Sequence, residues 1–112
     1  MLSKDLVAAS SRPIVLSILS KNESYGYDIL KTIKERSNSQ IEWKDGMLYP
    51  LLRKLENEGL IESFWQTADN GRKRKYYRIK PAGKTFLEQQ MAQWKMVDSV
   101  LNQLWEEKPC LT

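Results

Sequence analysis

Gly46-Met47-Leu48-Tyr49-Pro50-Leu51-Leu52-Arg53-Lys54-Leu55-Glu56-Asn57-Glu58-Gly59-Leu60-Ile61 separates into two faces when wound as a helix. Leu48, Leu51, Leu52 and Leu55 recur at i, i+3, i+4 and i+7 and form one apolar stripe, the pattern of a face buried in a core. Tyr49, Arg53, Lys54 and Asn57 fall on the opposite face, which is polar and basic. The helix is expected to begin near Asp45-Gly46 and to end near Glu58. Gly59 stands where a left-handed residue would stop it. Pro50 is expected in or beside the first turn, where a missing N–H costs little.

Outward toward the C-terminus, Leu60 to Thr67 is rich in strand formers, and Lys75 to Ile79 reads as a return strand. Asn70-Gly71 between them is a strong hairpin signal. A two-residue turn there would set Trp65 opposite Tyr76 and Phe64 opposite Tyr77. Pro81 then opens a helix that continues to about Glu107, roughly 39 Å at about 1.5 Å per residue. Its apolar positions, Leu87, Met91, Trp94, Val97, Leu101 and Leu104, have near-heptad spacing. Met96, Val100 and Trp105 widen the stripe.

Toward the N-terminus, Gln40-Ile41-Glu42-Trp43 alternates polar and apolar residues as a short strand would. A helix is expected from about Tyr25 to Arg36, with Ser24 as its N-cap and Lys21-Asn22-Glu23-Ser24 as a turn. A first helical region spans about Lys4 to Ser20. Pro13 is expected to kink it or divide it into two pieces.

The 112 residues fit one domain with a modest core. No apolar run approaches the ~20 residues of a membrane span, and Asp5 precedes the first short apolar stretch, unlike a signal peptide. A cytoplasmic protein that neither enters a membrane nor needs a cofactor is expected. The chain has no histidine and one cysteine, Cys110. That removes the commonest zinc sites and every Ser-His or Cys-His catalytic pair. No Asp/Glu pair stands out from ordinary solvated charge, so an enzyme is disfavoured.

The net charge is +4, and its distribution is informative. Arg72, Lys73, Arg74, Lys75 and Arg78 lie together with no acid among them, whereas the chain from Lys80 onward balances its bases with acids. Helix, helix, strand, helix and hairpin in this order form the winged-helix plan. In that plan the third helix enters a DNA groove and the hairpin, or wing, touches the backbone. The fold expected is mostly α with a small β-wing. A winged helix-turn-helix DNA-binding domain spans residues 1–80, and a long C-terminal dimerisation helix with its tail spans 81–112. On the third helix the candidate contacts to double-stranded DNA are Lys44, Tyr49, Pro50, Arg53 and Lys54. On the wing they are Asn70, Gly71, Arg72, Lys73 and Arg74. A major groove accepts a helix with a polar, basic outer face, and flexible uncompensated cations suit phosphates. Each group alone is ordinary surface; their adjacency in this topology is what points to DNA. The alternative is a winged-helix module that binds protein, which tends to lose charge on these two elements.

Tyr25-Gly26-Tyr27-Asp28-Ile29, the segment from Gly46 to Ile61, and Arg74-Lys75-Tyr76-Tyr77-Arg78-Ile79 followed by Gly83 together resemble the PadR family signature. The stretch from Leu48 to Ile61 is much more specific than a generic helix-turn-helix. The single C-terminal helix is similar to the compact branch of the family, which includes multidrug-sensing regulators. Lys80 departs from the Thr or Ser usual before that helix, which removes a side-chain N-cap. The resemblance implies a homodimer on a pseudo-palindromic operator, usually acting as a repressor. A head of ~80 residues cannot cover so long an apolar stripe, which also calls for a partner chain. The expected dimer interface is Leu6, Leu87, Met91, Trp94, Val97, Leu101 and Leu104. The resemblance further implies a site for a planar aromatic effector, with Trp94, Val97, Asp98 and Leu101 facing Ala8 and Val15. Trp94 as plain dimer packing is the competing reading.

Overall fold

The structure, a computed structural model, describes residues 2–107. Lys108, Pro109 and Cys110 lie outside the described residues. The order of elements is α1 (Lys4–Lys21), β1 (Ser24–Tyr25), α2 (Gly26–Arg36), α3 (Asp45–Asn57), β2 (Ile61–Thr67), β3 (Lys73–Ile79) and α4 (Pro81–Glu106). It is a winged helix with a long terminal helix, as the sequence predicts.

The core forms where the apolar stripes of the first three helices meet the inner face of the sheet. Val15, Leu16 and Leu19 of α1, Ile29 and Ile33 of α2, and Leu48, Leu51, Leu52 and Leu55 of α3 pack with Ile61, Tyr77 and Leu87. α3 ends as Gly59 predicts. Gly59 has φ +76°, its N–H donates to Glu56 O at 3.0 Å, and Leu60 N–H donates to Leu55 O at 3.0 Å. Those two bonds are a Schellman closure, and it turns the chain straight into β2.

Several local expectations are corrected. α1 is one helix through Pro13 and is not divided into two pieces. In the turn before the proline, the Ser10 and Ser11 hydroxyls donate to the carbonyls of Leu6, Val7 and Ala8. Pro50 lies just beyond the first turn of α3, beside it as expected, and the helix runs through it without that N–H. Ser24 is not the N-cap of α2; Tyr25 holds that place, and Ser24 pairs with Tyr77 in a strand. The Ser24 hydroxyl instead donates to Asp28 Oδ2 at 3.0 Å. Gln40–Trp43 forms no strand. The sheet order is β1-β3-β2, so the third strand comes from the α1–α2 linker. Asn38 and Ser39, both at positive φ, break the extended backbone just before Gln40. The alternation of Ile41 and Trp43 is then satisfied by Trp43 entering the core from an irregular segment.

The hairpin register differs by one residue from a two-residue turn. Phe64 pairs with Tyr76 and Trp65 with Lys75. Gly71 N–H donates to Ala68 O, Ala68 N–H donates to Arg72 O, and Asn70 Oδ1 accepts from Arg72 N–H. Gly71 is at φ +81°, whereas Asn70 is not at positive φ. A two-residue type I′ turn needs positive φ at both of its central residues; a three-residue loop closed by a left-handed glycine does not.

α4 leaves the head as an arm, and the chain measures 70 × 29 × 21 Å. It is seated at its base by Gly83. A Cβ on Gly83 would overlap the Leu60 carbonyl oxygen, which accepts from Lys80 N–H at 2.9 Å. Lys80 makes no side-chain cap, so Pro81 alone pre-sets the first turn.

Candidate nucleic-acid interface

The winding of α3 buries its leucines, so its other face must point outward. Lys44, Tyr49, Pro50, Arg53 and Lys54 are all exposed there. The phenol of Tyr49 lies over Gly26 at the start of α2, where a Cβ would collide with its hydroxyl. That contact fixes the spacing of α2 and α3 and gives Gly26 a reason that the sequence alone does not supply.

Strand alternation divides the basic wing between two faces. Lys73 and Lys75 share a face with buried Tyr77, and Lys75 Nζ lies 5.8 Å from the Tyr77 ring centroid. Ser63 is on the same face and donates to Glu56 Oε2 of α3 at 2.9 Å, so this face turns toward α3. The Tyr77 hydroxyl is held above its usual pKa, first by burial and then by Glu56 and Tyr49, with Arg53 opposing. The C-terminal half of α3 and the wing strand therefore lie close together.

Arg74 and Arg78 are on the other face. Arg74 is half-buried, with its guanidinium 4.7 Å from the Tyr25 ring centroid. Arg78 stacks at 4.1 Å on Phe64 and forms ion pairs with Glu62 and Glu23. Asn70, Gly71 and Arg72 are exposed at the tip.

Four cations of the head are tied in ion pairs, and Arg78 is one of them. Arg12 binds Glu58 through two hydrogen bonds of 3.1 and 2.8 Å, and Lys31 and Lys34 pair with Glu35 and Glu42. That bidentate contact holds the Glu58 carboxyl below its ordinary range and the Arg12 guanidinium above its own. Among the described residues no ion pair involves Lys44, Arg53, Lys54, Arg72, Lys73, Arg74 or Lys75. Unpaired cations thus cluster on α3 and the wing, whereas the others on the head that are in no ion pair, Lys4, Lys21, Arg36 and Lys80, are scattered singly along the chain. No cluster of metal-ligating side chains occurs among the described residues.

The residues singled out on α1 and α4 divide differently. Met91, Val97, Leu101 and Leu104 are exposed along α4, and so is Leu6 on α1. Leu87 is not: at 6% exposure it belongs to the chain's own core, because it faces the head and not outward. Val15 is 0% exposed and likewise core, so neither a partner nor a ligand reaches it. Trp94 is half-buried and lines an open groove of ≈ 790 Å³ with Met91 and Lys95. Residues of α1, among them Ser10, Pro13, Ile14 and Ser17, and of α2, among them Asp28 and Thr32, form the rest of the groove; Ala8, Val97, Asp98 and Leu101 are not in its lining.

The profile described as the PadR-like transcriptional regulator family matches residues 15–89. A PadR-like transcriptional regulator of Bacillus cereus is 30% identical and superposes with a TM-score of 0.84, covering 94% of this chain and 100% of that one. A PadR family transcription regulator of Clostridium difficile is 35% identical with a TM-score of 0.77, covering 86% of this chain and 98% of the other. The transcriptional regulator YqjI of Escherichia coli is 28% identical over 87 residues, which are 78% of this chain but 40% of its own length.

Proposed function

The chain belongs to the PadR-like family of transcriptional regulators, and on that premise we propose that it is a repressor that binds a pseudo-palindromic operator as a homodimer and is released by a planar aromatic ligand. The observation that carries the DNA reading is the collection of unpaired cations on α3 and the wing. Arg53 reads a base edge, and Lys44, Lys54, Arg72 and Lys73 neutralise phosphates. With about 6–10 phosphate contacts in the complex, affinity falls ~10³–10⁵-fold between 50 and 200 mM salt. Titration of duplex DNA across that range tests this, and a flat salt dependence sinks it. Selection from a random duplex pool should then return a two-fold site with half-sites about 34 Å apart.

The apolar arm supports the dimer. Met91, Val97, Val100, Leu101, Leu104 and Trp105 run along one α-helix with their surfaces open, a patch that favours association. A second copy covers it by two-fold symmetry.

The effector reading rests on Trp94. Its indole borders a groove lined by α1, α2 and α4, and a flat cationic molecule gains stacking and cation–π attraction against it. A ligand there changes DNA affinity only by binding the two arrangements of the heads unequally. Titration with planar cationic dyes should quench the parent's tryptophan fluorescence saturably and Trp94→Ala should lose that response. Equal binding by both proteins removes the effector from the reading.

A further inference from the structure

Trp65 is 67% exposed in the middle of a β-strand. Large apolar side chains at such positions ordinarily pack, and nothing in the protomer covers this one. Its face is set by its neighbours. Ile61 is buried, Ser63 bonds Glu56 of α3, and Trp65 is the next residue on that side, one step nearer the wing tip. Lys75 is directly opposite it, and Lys73 borders it with Gln66 and Thr67 in a shallow depression. An uncovered indole thus stands beside two unpaired lysines, on the side of the sheet that turns toward α3.

We propose that Trp65 is a contact to the sugar–phosphate backbone of the bound duplex: its ring lies against deoxyribose and its Nε1–H donates to a phosphate oxygen, with Lys73 and Lys75 on the adjacent phosphates. The inference rests on the DNA-binding reading and adds to it a non-ionic contact. Charge complementarity selects this occupant. A lysine-flanked indole suits a polyanion that also offers apolar sugar faces, whereas an apolar protein surface would leave both ammonium groups buried and unpaired. Indole is donor-only, and so is suited to phosphate oxygens.

A contact of this kind has a signature that cations lack. Removing a lysine takes away one released counterion and lowers the slope of log affinity against log salt by about one, whereas removing the indole leaves the slope unchanged. The experiment titrates random-sequence duplex DNA into the full chain, the Trp65→Ala, Trp65→Phe and Lys75→Ala variants, over a range of salt. Trp65→Ala is expected to bind about tenfold more weakly at every salt concentration with the parent's slope. Lys75→Ala is expected to show the reduced slope. Saturating duplex should quench a component of the parent's fluorescence that is missing from Trp65→Phe. Because the ring is outside the core, all three variants should melt close to the parent. Parental affinity in Trp65→Ala, with Lys75→Ala still impaired, overturns the inference and leaves the DNA reading intact; the exposed ring then serves another partner. Absence of salt-dependent binding by the parent itself overturns both.

Discussion

Leu104→Ala isolates the proposed dimer from the fold. Leu104 keeps 57% of its surface open in the protomer, near the far end of α4. Burying a leucine fully stabilises by about 1.5–3 kcal/mol, so covering that open share contributes about 1–1.5 kcal/mol. Two-fold symmetry doubles this to ~2–3 kcal/mol per dimer. The dissociation constant of the dimer should therefore rise about 30- to 150-fold. Alanine keeps the helix, so the protomer should melt nearly as before. Sedimentation equilibrium over a concentration series reads the constant directly. Leu87→Ala is the contrast. Leu87 is buried in its own protomer, and its truncation should cost about 2–5 kcal/mol of folding stability and act on the dimer only through that loss. If Leu104→Ala leaves the dissociation constant within about threefold of the parent, less than the ~1 kcal/mol that any covered leucine would contribute, this stripe is not the interface.

Three further outcomes are expected. Gly83→Ala should lower stability by about 1–3 kcal/mol, because the added Cβ meets the Leu60 carbonyl and lies 2.7 Å from Ile79 Cγ1, and backbone cannot rotate aside; an unchanged thermal midpoint refutes it. Glu58→Gln should cost about 0.2–1 kcal/mol, as expected of a part-exposed pair. Its pH dependence has a definite sign: the Glu58 carboxyl sits below its unfolded value, so the stabilisation is complete above about pH 5 and is lost as pH falls through the lower folded value. A stability difference between parent and variant that does not shrink as pH falls below the ordinary carboxylate value of about 4.3 is the contrary result. Arg53→Ala should weaken operator binding by about 1–3 kcal/mol and relax the base preference, while Lys73→Ala should weaken all duplexes alike; two variants that behave identically in a competition assay would remove the base-reading role.

What was legible in the sequence is what short-range periodicity determines. The stripe of Leu48, Leu51, Leu52 and Leu55 places α3 and its buried face, and Gly59 places its end, because both are properties of consecutive residues. What was not legible depends on contacts between distant residues. Ser24-Tyr25 is a strand only because β3 has an open edge beside it, while Gln40–Trp43 has the better pattern and no partner. Asn70-Gly71 announces a hairpin without stating its loop length, and one extra loop residue moves every cross-strand pair by one. The sequence does not state which side of α1 faces Trp94; Ser10, Pro13, Ile14 and Ser17 share its groove, and Val15 is in the core. The same limit governs charge. Lys75 and Arg78 look equivalent in a basic run, yet they are three residues apart on a strand and so point to opposite faces. Arg78 is tied by Glu23, Glu62 and the Phe64 ring, while Lys75 has no carboxylate partner and stands beside an uncovered tryptophan. The net charge therefore overstates the cations free to meet DNA on one side of the wing and gives no account of the other. The register of a hairpin, more than its composition, decides which of its bases can reach a phosphate.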